Sequence, residues 1–351
     1  MATQAGQPMT AAVDLAGLAL AAVPDDLVTQ LRRARHVLAV SHENPDADTL
    51  GGVLGICLIV EALGGRATAI STDPVPPLYE FLPGIERFRT DPDPGEAYDL
   101  LVLADCASAE RVGAVAVRHP EIFALLPRVI VDHHASNGRA GPADWIDAGS
   151  AATCEQVALL AVRLGLPLDL GDGALAAGLM AGIVMDTATF AHPNTTPRTL
   201  AVSAALLEAG APLSDISRRL YRTKPDTQLR LFGRVLDRLE TSPDRLVIWS
   251  TLRLGDLEAT DAIPAHSEGI IDLLAQAETA EVSMLFKEQD DGTTRLSVRT
   301  RAGGVDATVL TGTFGGGGHA RAAGATVDLP LEAAIARVRE VADRLAREVR
   351  R

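Results

Sequence analysis

Residues 41–48 read Ser-His-Glu-Asn-Pro-Asp-Ala-Asp, and residues 132–134 read Asp-His-His. Each cluster follows a short apolar, β-branched run, His36-Val-Leu-Ala-Val40 and Arg128-Val-Ile-Val131. Such runs read as buried strands, and open α/β sheets bind ligands beyond the carboxyl ends of their strands. His42, Asp46 and Asp48 form an H-x-x-x-D-x-D run that offers imidazole and hard carboxylate oxygen without any thiolate. That donor set favours Mn²⁺ or Mg²⁺ over a structural zinc. Asp105 ends the run Leu100-Leu-Val-Leu-Ala104, and Asp186 follows Ala181-Gly-Ile-Val-Met185. Both place a carboxylate at the end of a buried element, where an unpaired charge is costly.

Charge counting sharpens the reading. Asp46, Asp48, Asp105 and Asp186 bring negative charge that two divalent cations would balance, and His42 and His133 add neutral ligands. Two metals about 3.5–4 Å apart suit in-line attack at phosphorus. Taken singly, an aspartate after a strand is more often a turn former or a helix N-cap. Asp132 has a structural reading, in which it orients a neighbouring imidazole from behind. The joint occurrence of these pieces, expected together at strand ends, points to a metal site.

The elements that must position them alternate. Strand-like runs at 36–41, 67–71, 100–104 and 128–131 are interleaved with helical stretches at 49–64 and 151–165, which predicts βαβ units and a mainly parallel sheet flanked by helices. Helices follow at about 173–185, 198–209 and 225–239. After the turn Ser242-Pro-Asp the pattern changes to strands at 245–252, 281–287 and 294–300, with helices near 268–277, 305–311 and 330–350. The expectation is an α/β chain: a catalytic, metal-binding domain over 1–213, a helical connector over 214–240, and a smaller α/β domain with a mixed sheet over 241–351.

Composition narrows the partners. The chain has 351 residues, 47% hydrophobic and 22% charged, with a formal net charge of −14. No general basic surface is available for long nucleic acid, so a nucleotide ligand is expected to be short and locally held. The three cysteines, Cys57, Cys106 and Cys154, have no metal-like spacing and fit a reducing cytoplasm. The Ala-rich stretch 11–23 is too short to span a bilayer, which needs about 20 residues; it reads as a surface helix, and no membrane partner is expected.

Phe314-Gly-Gly-Gly-Gly-His319 is the second sharp signal. Consecutive glycines permit close backbone approach to a ligand, and Gly316, Gly317 and Gly318 could expose N–H groups to an anion. His319 could donate to a phosphate, with Arg299 or Arg301 adding charge-assisted bonds. The competing reading is a flexible loop. A G-x-G-x-x-G match can be drawn here, but it follows no βαβ strand, which argues against a dinucleotide fold.

These motifs, in this order, resemble the DHH phosphoesterase superfamily with its DHH-associated C-terminal domain. His42-x-x-x-Asp46-x-Asp48 is similar to its first motif, Asp105 to the second, Asp132-His133-His134 to the third and Asp186-Thr187 to the fourth. Gly315–His319 with Ser297-Val-Arg299 resembles the C-terminal domain. The likeness is greatest to the nano-RNase and pAp-phosphatase branch, which includes cyclic-dinucleotide phosphodiesterases. It implies that His42 and Asp46 hold one Mn²⁺, that Asp48, His133 and Asp186 hold the other, and that Asp105 bridges them, with Mg²⁺ or Co²⁺ as alternatives. It implies further that His134, Asp105 and Asp132 are the catalytic residues, with His134 facing the substrate phosphate, and that Arg299 and the glycine segment grip the far phosphate or nucleotide. A cleft that measures substrate length and a hinge about the connector follow as expectations, and the family suggests a homodimer. Many relatives carry an arginine where Ala191-His192 stand here.

The expected activity is a Mn²⁺-dependent phosphodiesterase of short oligoribonucleotides, pApA or cyclic di-AMP that also removes the 3′-phosphate of pAp. The alternatives are a family II-like inorganic pyrophosphatase, a processive single-strand exonuclease, disfavoured by 3% aromatic content, and a nucleotide sensor without turnover.

Overall fold

β1 (His36–Val40), β2 (Arg66–Ile70), β3 (Leu100–Ala104), β4 (Arg128–Asp132) and the two-residue β5 (Trp145–Ile146) pair in parallel, in the order β2-β1-β3-β4-β5. β1 and β3 are buried at every position, because helices cover both faces of the sheet, and such strands read as continuous apolar runs. The computed structural model describes residues 14–106, 109–134 and 141–350. Its helices begin with α1 (Leu15–Ala22), α2 (Asp25–Arg33), α3 (Ala47–Ala62), α4 (Ala109–Val112), α5 (Ala114–Arg118) and α6 (Pro120–Leu125). They continue with α7 (Thr153–Leu164), α8 (Ala174–Asp186), α9 (Pro197–Glu208) and α10 (Leu213–Ser217). Of the Ala-rich stretch 11–23, residues 11–13 lie outside the described residues, and α1 lays Ala19 into the core while Leu20 faces solvent.

The strand order carries the functional consequence. From β1 the chain lays β2 on one side, then returns to lay β3 on the other, so the order reverses between β1 and β3. Crevices form at such switch points, beyond the carboxyl ends of the strands. His42 follows β1, Asp105 follows β3, and Asp132 ends β4. Asp186 is the last residue of helix α8, in line with the helix expected at 173–185 and not with its grouping among the strand-end residues. The apolar run before it is a helix because it belongs to a 13-residue segment, too long for a strand of this sheet.

α3 is apolar around most of its circumference and runs through the core, packed against α7 and α8. The approach of α8 is close because glycines face it. A Cβ on Gly51 would lie 2.5 Å from the Gly178 carbonyl oxygen, and a Cβ on Gly182 would lie 2.6 Å from Asp48 Oδ1. Small residues here set the depth at which Asp48 sits.

The chain divides at Thr223/Lys224 into two units. Residues 214–240, expected as a connector, are shared between them: α10 and a π-turn over Arg218–Arg222 fall in the first, α11 (Asp226–Asp237) in the second. The second unit continues with β6 (Glu240–Thr241), β7 (Val247–Leu252), α12 (Leu254–Thr260), α13 (Ile270–Leu274), β8 (Val282–Glu288) and β9 (Thr294–Thr300). It ends with α14 (Ala307–Gly312), β10 (Gly317–His319), β11 (Ala322–Val327) and α15 (Leu331–Val349). Its sheet, β10-β11-β9-β8-β7-β6, is mixed: β7 and β8 are parallel and the other pairs antiparallel. α14 and α15 cover one face, and α11 and α13 part of the other. The β10–β11 hairpin, too poor in large apolar residues to stand out as strands, replaces the expected glycine loop. Among the described residues no single helix is long and apolar enough to cross a membrane.

Gly51→Ala is expected to cost about 1–3 kcal/mol by forcing α3 and α8 apart. Denaturant unfolding checks this, and a loss below about 0.5 kcal/mol, as for an ordinary surface site, would show that the helices do not depend on the contact.

Candidate metal centre

The predicted ligands converge. His42 Nε2 lies 3.3 Å from Asp105 Oδ2 and 4.0 Å from Asp46 Oδ1. His133 Nε2 lies 3.2 Å from Asp186 Oδ2, 3.4 Å from Asp105 Oδ1 and 3.9 Å from Asp48 Oδ2. Among the described residues, three groups have ligand atoms within 4.8 Å of one another: His42–Asp46–Asp105, Asp48–His133–Asp186 and Asp105–His133–His134. Asp105 stands between the first two, with one oxygen toward His42 and the other toward His133.

Backbone groups fix these side chains. Asp46 is the N-cap of α3, and its Oδ1 accepts from the N–H groups of Asp48 and Thr49. Asp48 is fully buried, and the first amides of α7 hold it: Thr153 N–H donates to Oδ2 at 2.7 Å and Cys154 N–H to Oδ1 at 2.8 Å. A helix N-terminus suits a carboxylate, since its first N–H groups lack intrahelical partners. Thr153 Oγ1 also donates to Asp105 Oδ1. The sequence offered no clear sign of this cradle, because it is made of main chain at a helix start.

The imidazoles are oriented too. His42 Nδ1 is 2.7 Å from the Glu43 carbonyl oxygen, to which it donates, leaving Nε2 as the ligand atom. Asp132 is fully buried; its Oδ1 accepts from His134 Nδ1 at 2.8 Å and from the His134 N–H at 3.0 Å. The geometry favours the orienting role for Asp132, with Nε2 of the half-exposed His134 left for a ligand.

The backbone is strained here. Asp105 has φ +61°, and Ala188, Thr189 and Phe190 follow Asp186 at φ +47°, +58° and +66°. Left-handed backbone costs a non-glycine residue about 1–2 kcal/mol, so a run of three marks a turn held by its surroundings. Thr187 Oγ1 accepts from the Phe190 N–H, and Thr189 Oγ1 bonds to Ser217. His192 is exposed, and its Nδ1 donates to the Asp186 carbonyl oxygen. Nearby, buried Glu155 joins Arg198, Thr199 and the Ala151 N–H, bracing the loop that leads into α7.

None of Asp46, Asp48, Asp105 and Asp186 has an arginine or lysine partner among the described residues. Asp48 and Asp105 are buried, and Asp46 and Asp186 are half-buried. Burial, reinforced by the Asp105 charge, pushes the Asp48 carboxyl up; burial and Asp48 push Asp186 up. Against burial, hydrogen bonds from His133 and His42 hold Asp105 well below the usual carboxylate range. Against burial again, Asp105, Asp48 and Asp186 raise His133 to about 10. Protons thus stand in for cations. Carboxylate and imidazole donors without thiolate fit hard divalent metals.

The groove of the second unit spans about 650 Å³ and is lined by Arg295, Ser297, Arg299, Gly316, Gly317 and Gly318 among others. Arg299 Nε donates to Asp272. Arg301 does not belong to the groove; its guanidinium bonds the carbonyls of Ala277 and Glu278. His319 does not line it either. Gly316 and Gly318 are required by packing: a Cβ would lie 2.2 Å from Gly324 O and 2.6 Å from Ala322 O. The Gly315 and Gly316 N–H groups bond to Gly312 and Thr311 at the end of α14, so they do not form the expected open nest.

Because the facing carboxylates raise His133 to about 10, a divalent ion, with Mn²⁺ as the probe, is expected to expel its proton on binding at pH 7. Calorimetry in buffers of different ionisation enthalpy is expected to show proton release and an affinity that rises with pH. Binding without proton release at pH 7 would contradict this charge balance.

Residues 36–183 match the DHH family, N-terminal domain, and residues 252–348 match the DHHA1 domain. The bifunctional oligoribonuclease and PAP phosphatase NrnA of Thermus thermophilus is 33% identical over 87% of this chain and 88% of its own length. Its Bacillus subtilis namesake is 26% identical over 82% of this chain and 87% of its own. The crystal structure of an exopolyphosphatase-related protein from Bacteroides fragilis shares the fold with a TM-score of 0.81 at 22% identity, covering 93% of this chain and 97% of that one. A ligand cluster at the switch point of one unit and a glycine-rich sheet in the other therefore place the chain in the DHH family, as a phosphoester hydrolase that joins a DHH N-terminal domain to a DHHA1 domain.

Proposed function

We propose that this chain is a Mn²⁺-dependent phosphodiesterase of short oligoribonucleotides and dinucleotides that also removes the 3′-phosphate of pAp. The observation that carries the reading is the pair of ligand groups, His42–Asp46–Asp105 and Asp48–His133–Asp186, set on either side of Asp105. The first group would hold one divalent ion and the second another. Bound there, the two ions supply a water of lowered pKa and charge for the developing transition state. His134, fixed through Nδ1 by Asp132, presents Nε2 to a phosphate oxygen or a leaving group. Asp105 and Asp48 keep their donor oxygens in place through Thr153 and Cys154, so little reorganisation is needed when substrate arrives. In the second unit, Arg299 and the glycine hairpin line the groove that would take nucleotide. The names of the Thermus thermophilus and Bacillus subtilis relatives supply the substrate class, and likeness over most of both chains supports its transfer. The DHHA1 match and its groove count against a pyrophosphatase, which has no nucleotide to hold.

The experiment is product release with Mn²⁺ from pApA, pAp, cyclic di-AMP, a long single strand and pyrophosphate. The short nucleotides are expected to be cleaved and Asp105→Asn to be inactive. Turnover of pyrophosphate alone would overturn the reading, and binding without turnover would leave a sensor. Asp132→Asn is expected to lower kcat about a hundredfold with KM little changed, since it loosens the imidazole without touching substrate. An equal rise in KM instead would mean that Asp132 contributes to binding.

A further inference from the structure

Lys287 and Arg295 are direct cross-strand partners in the β8–β9 ladder. Both side chains stand on the face of the sheet that carries Ser297 and Arg299, since residues two apart on a strand share a face. Like charges directly opposite one another destabilise a sheet. Yet no carboxylate forms an ion pair with either residue among the described residues, whereas Arg299 on the same strand is paired with Asp272. Arg295 is exposed, lines the groove and has no hydrogen-bond partner there among the described residues. Lys287, one of two lysines in the chain, is half-buried and donates to Ser267 Oγ at 2.8 Å. Burial, and then the Arg295 charge, lower its pKa; Glu268 acts the other way from a distance without pairing. In a chain with net charge −14, two facing cations left without a carboxylate are conspicuous. The floor beside them is small and polar, with Ser297, Gly317, Gly324 and Thr326, and leaves room for a bulky anion.

We propose that Arg295, which lines the groove, and its cross-strand neighbour Lys287, which stands behind it and outside the lining, form a second anion-binding locus at the edge of this groove, one that takes the terminal phosphate monoester of a short nucleotide. Arg299 lies four residues along β9 from Arg295, about 13 Å at 3.4 Å per residue, so the two arginines serve different groups of one ligand. The groove then distinguishes a phosphorylated end from a bare hydroxyl. The choice of a nucleotide as ligand rests on the function proposed above; the anion locus itself rests on the charges.

The test is equilibrium titration of the full chain in EDTA, where no turnover occurs, with pApA and with the unphosphorylated dinucleotide ApA. The wild type is expected to bind pApA about tenfold more tightly, the worth of one charge-assisted bond. Arg295→Gln and Lys287→Gln should each remove most of that preference without weakening ApA, and Arg295→Lys should keep part of it. No preference in the wild type, or a preference that survives both glutamine variants, would overturn the proposal. Hydrolysis is read separately with Mn²⁺. Preferential binding without cleavage would sink the proposed activity and leave the locus standing; cleavage without preference would do the reverse.

Discussion

The constraint on which the first unit depends is the confinement of four carboxylates, Asp46, Asp48, Asp105 and Asp186, with no arginine or lysine paired to them among the described residues. Charge in that position is unstable unless something positive or strongly hydrogen-bonding meets it. Main-chain amides answer part of the demand: the start of α7 takes both oxygens of Asp48, and the start of α3 takes one of Asp46. Imidazoles answer another part at Asp105 and Asp186. What remains is a surplus of negative charge that would weaken the fold by itself and that divalent ions could balance.

The surrounding architecture serves that cluster. A parallel sheet whose order reverses between β1 and β3 brings His42 and Asp105 to adjoining strand ends. Gly182 lets α8 come close enough to α3 for Asp186 and Asp48 to share His133, since any larger residue would meet the Asp48 carboxylate. The three left-handed residues after Asp186 turn the chain back at once, which lets His192 and Asn194 bond the Asp186 carbonyl. Strain of this kind persists where neighbours over-determine the conformation.

Much of this was legible in the sequence, and the unread parts have physical reasons. The clustered residues after β1, β3 and β4 could be picked out because apolar runs end abruptly in His and Asp. Asp186 was grouped with the strand-end carboxylates, although the helix expected over 173–185 already placed it at a helix end, where the structure has it. The amide cradle of Thr153 and Cys154 was not visible, because backbone donors have no letter of their own. The glycine run was read as an open loop, whereas Gly316 and Gly318 are small so that β10 can lie against β11. Arg301 and Arg295 exchanged places in the groove for a simple reason: both share the face of Arg299, but Arg301 lies beyond the strand end and is drawn to the carbonyls of residues 277 and 278.

The central claim is that the cluster on either side of Asp105 is built for a pair of divalent ions. The direct measurement is the number of Mn²⁺ ions retained per chain after equilibrium dialysis, for the wild type and for Asp186→Asn. The account predicts about two ions in the wild type, as in two-metal phosphoryl-transfer sites, and the loss of one in the variant with the other kept by His42, Asp46 and Asp105. Retention of a single ion by the wild type, or the same number in both proteins, would contradict it.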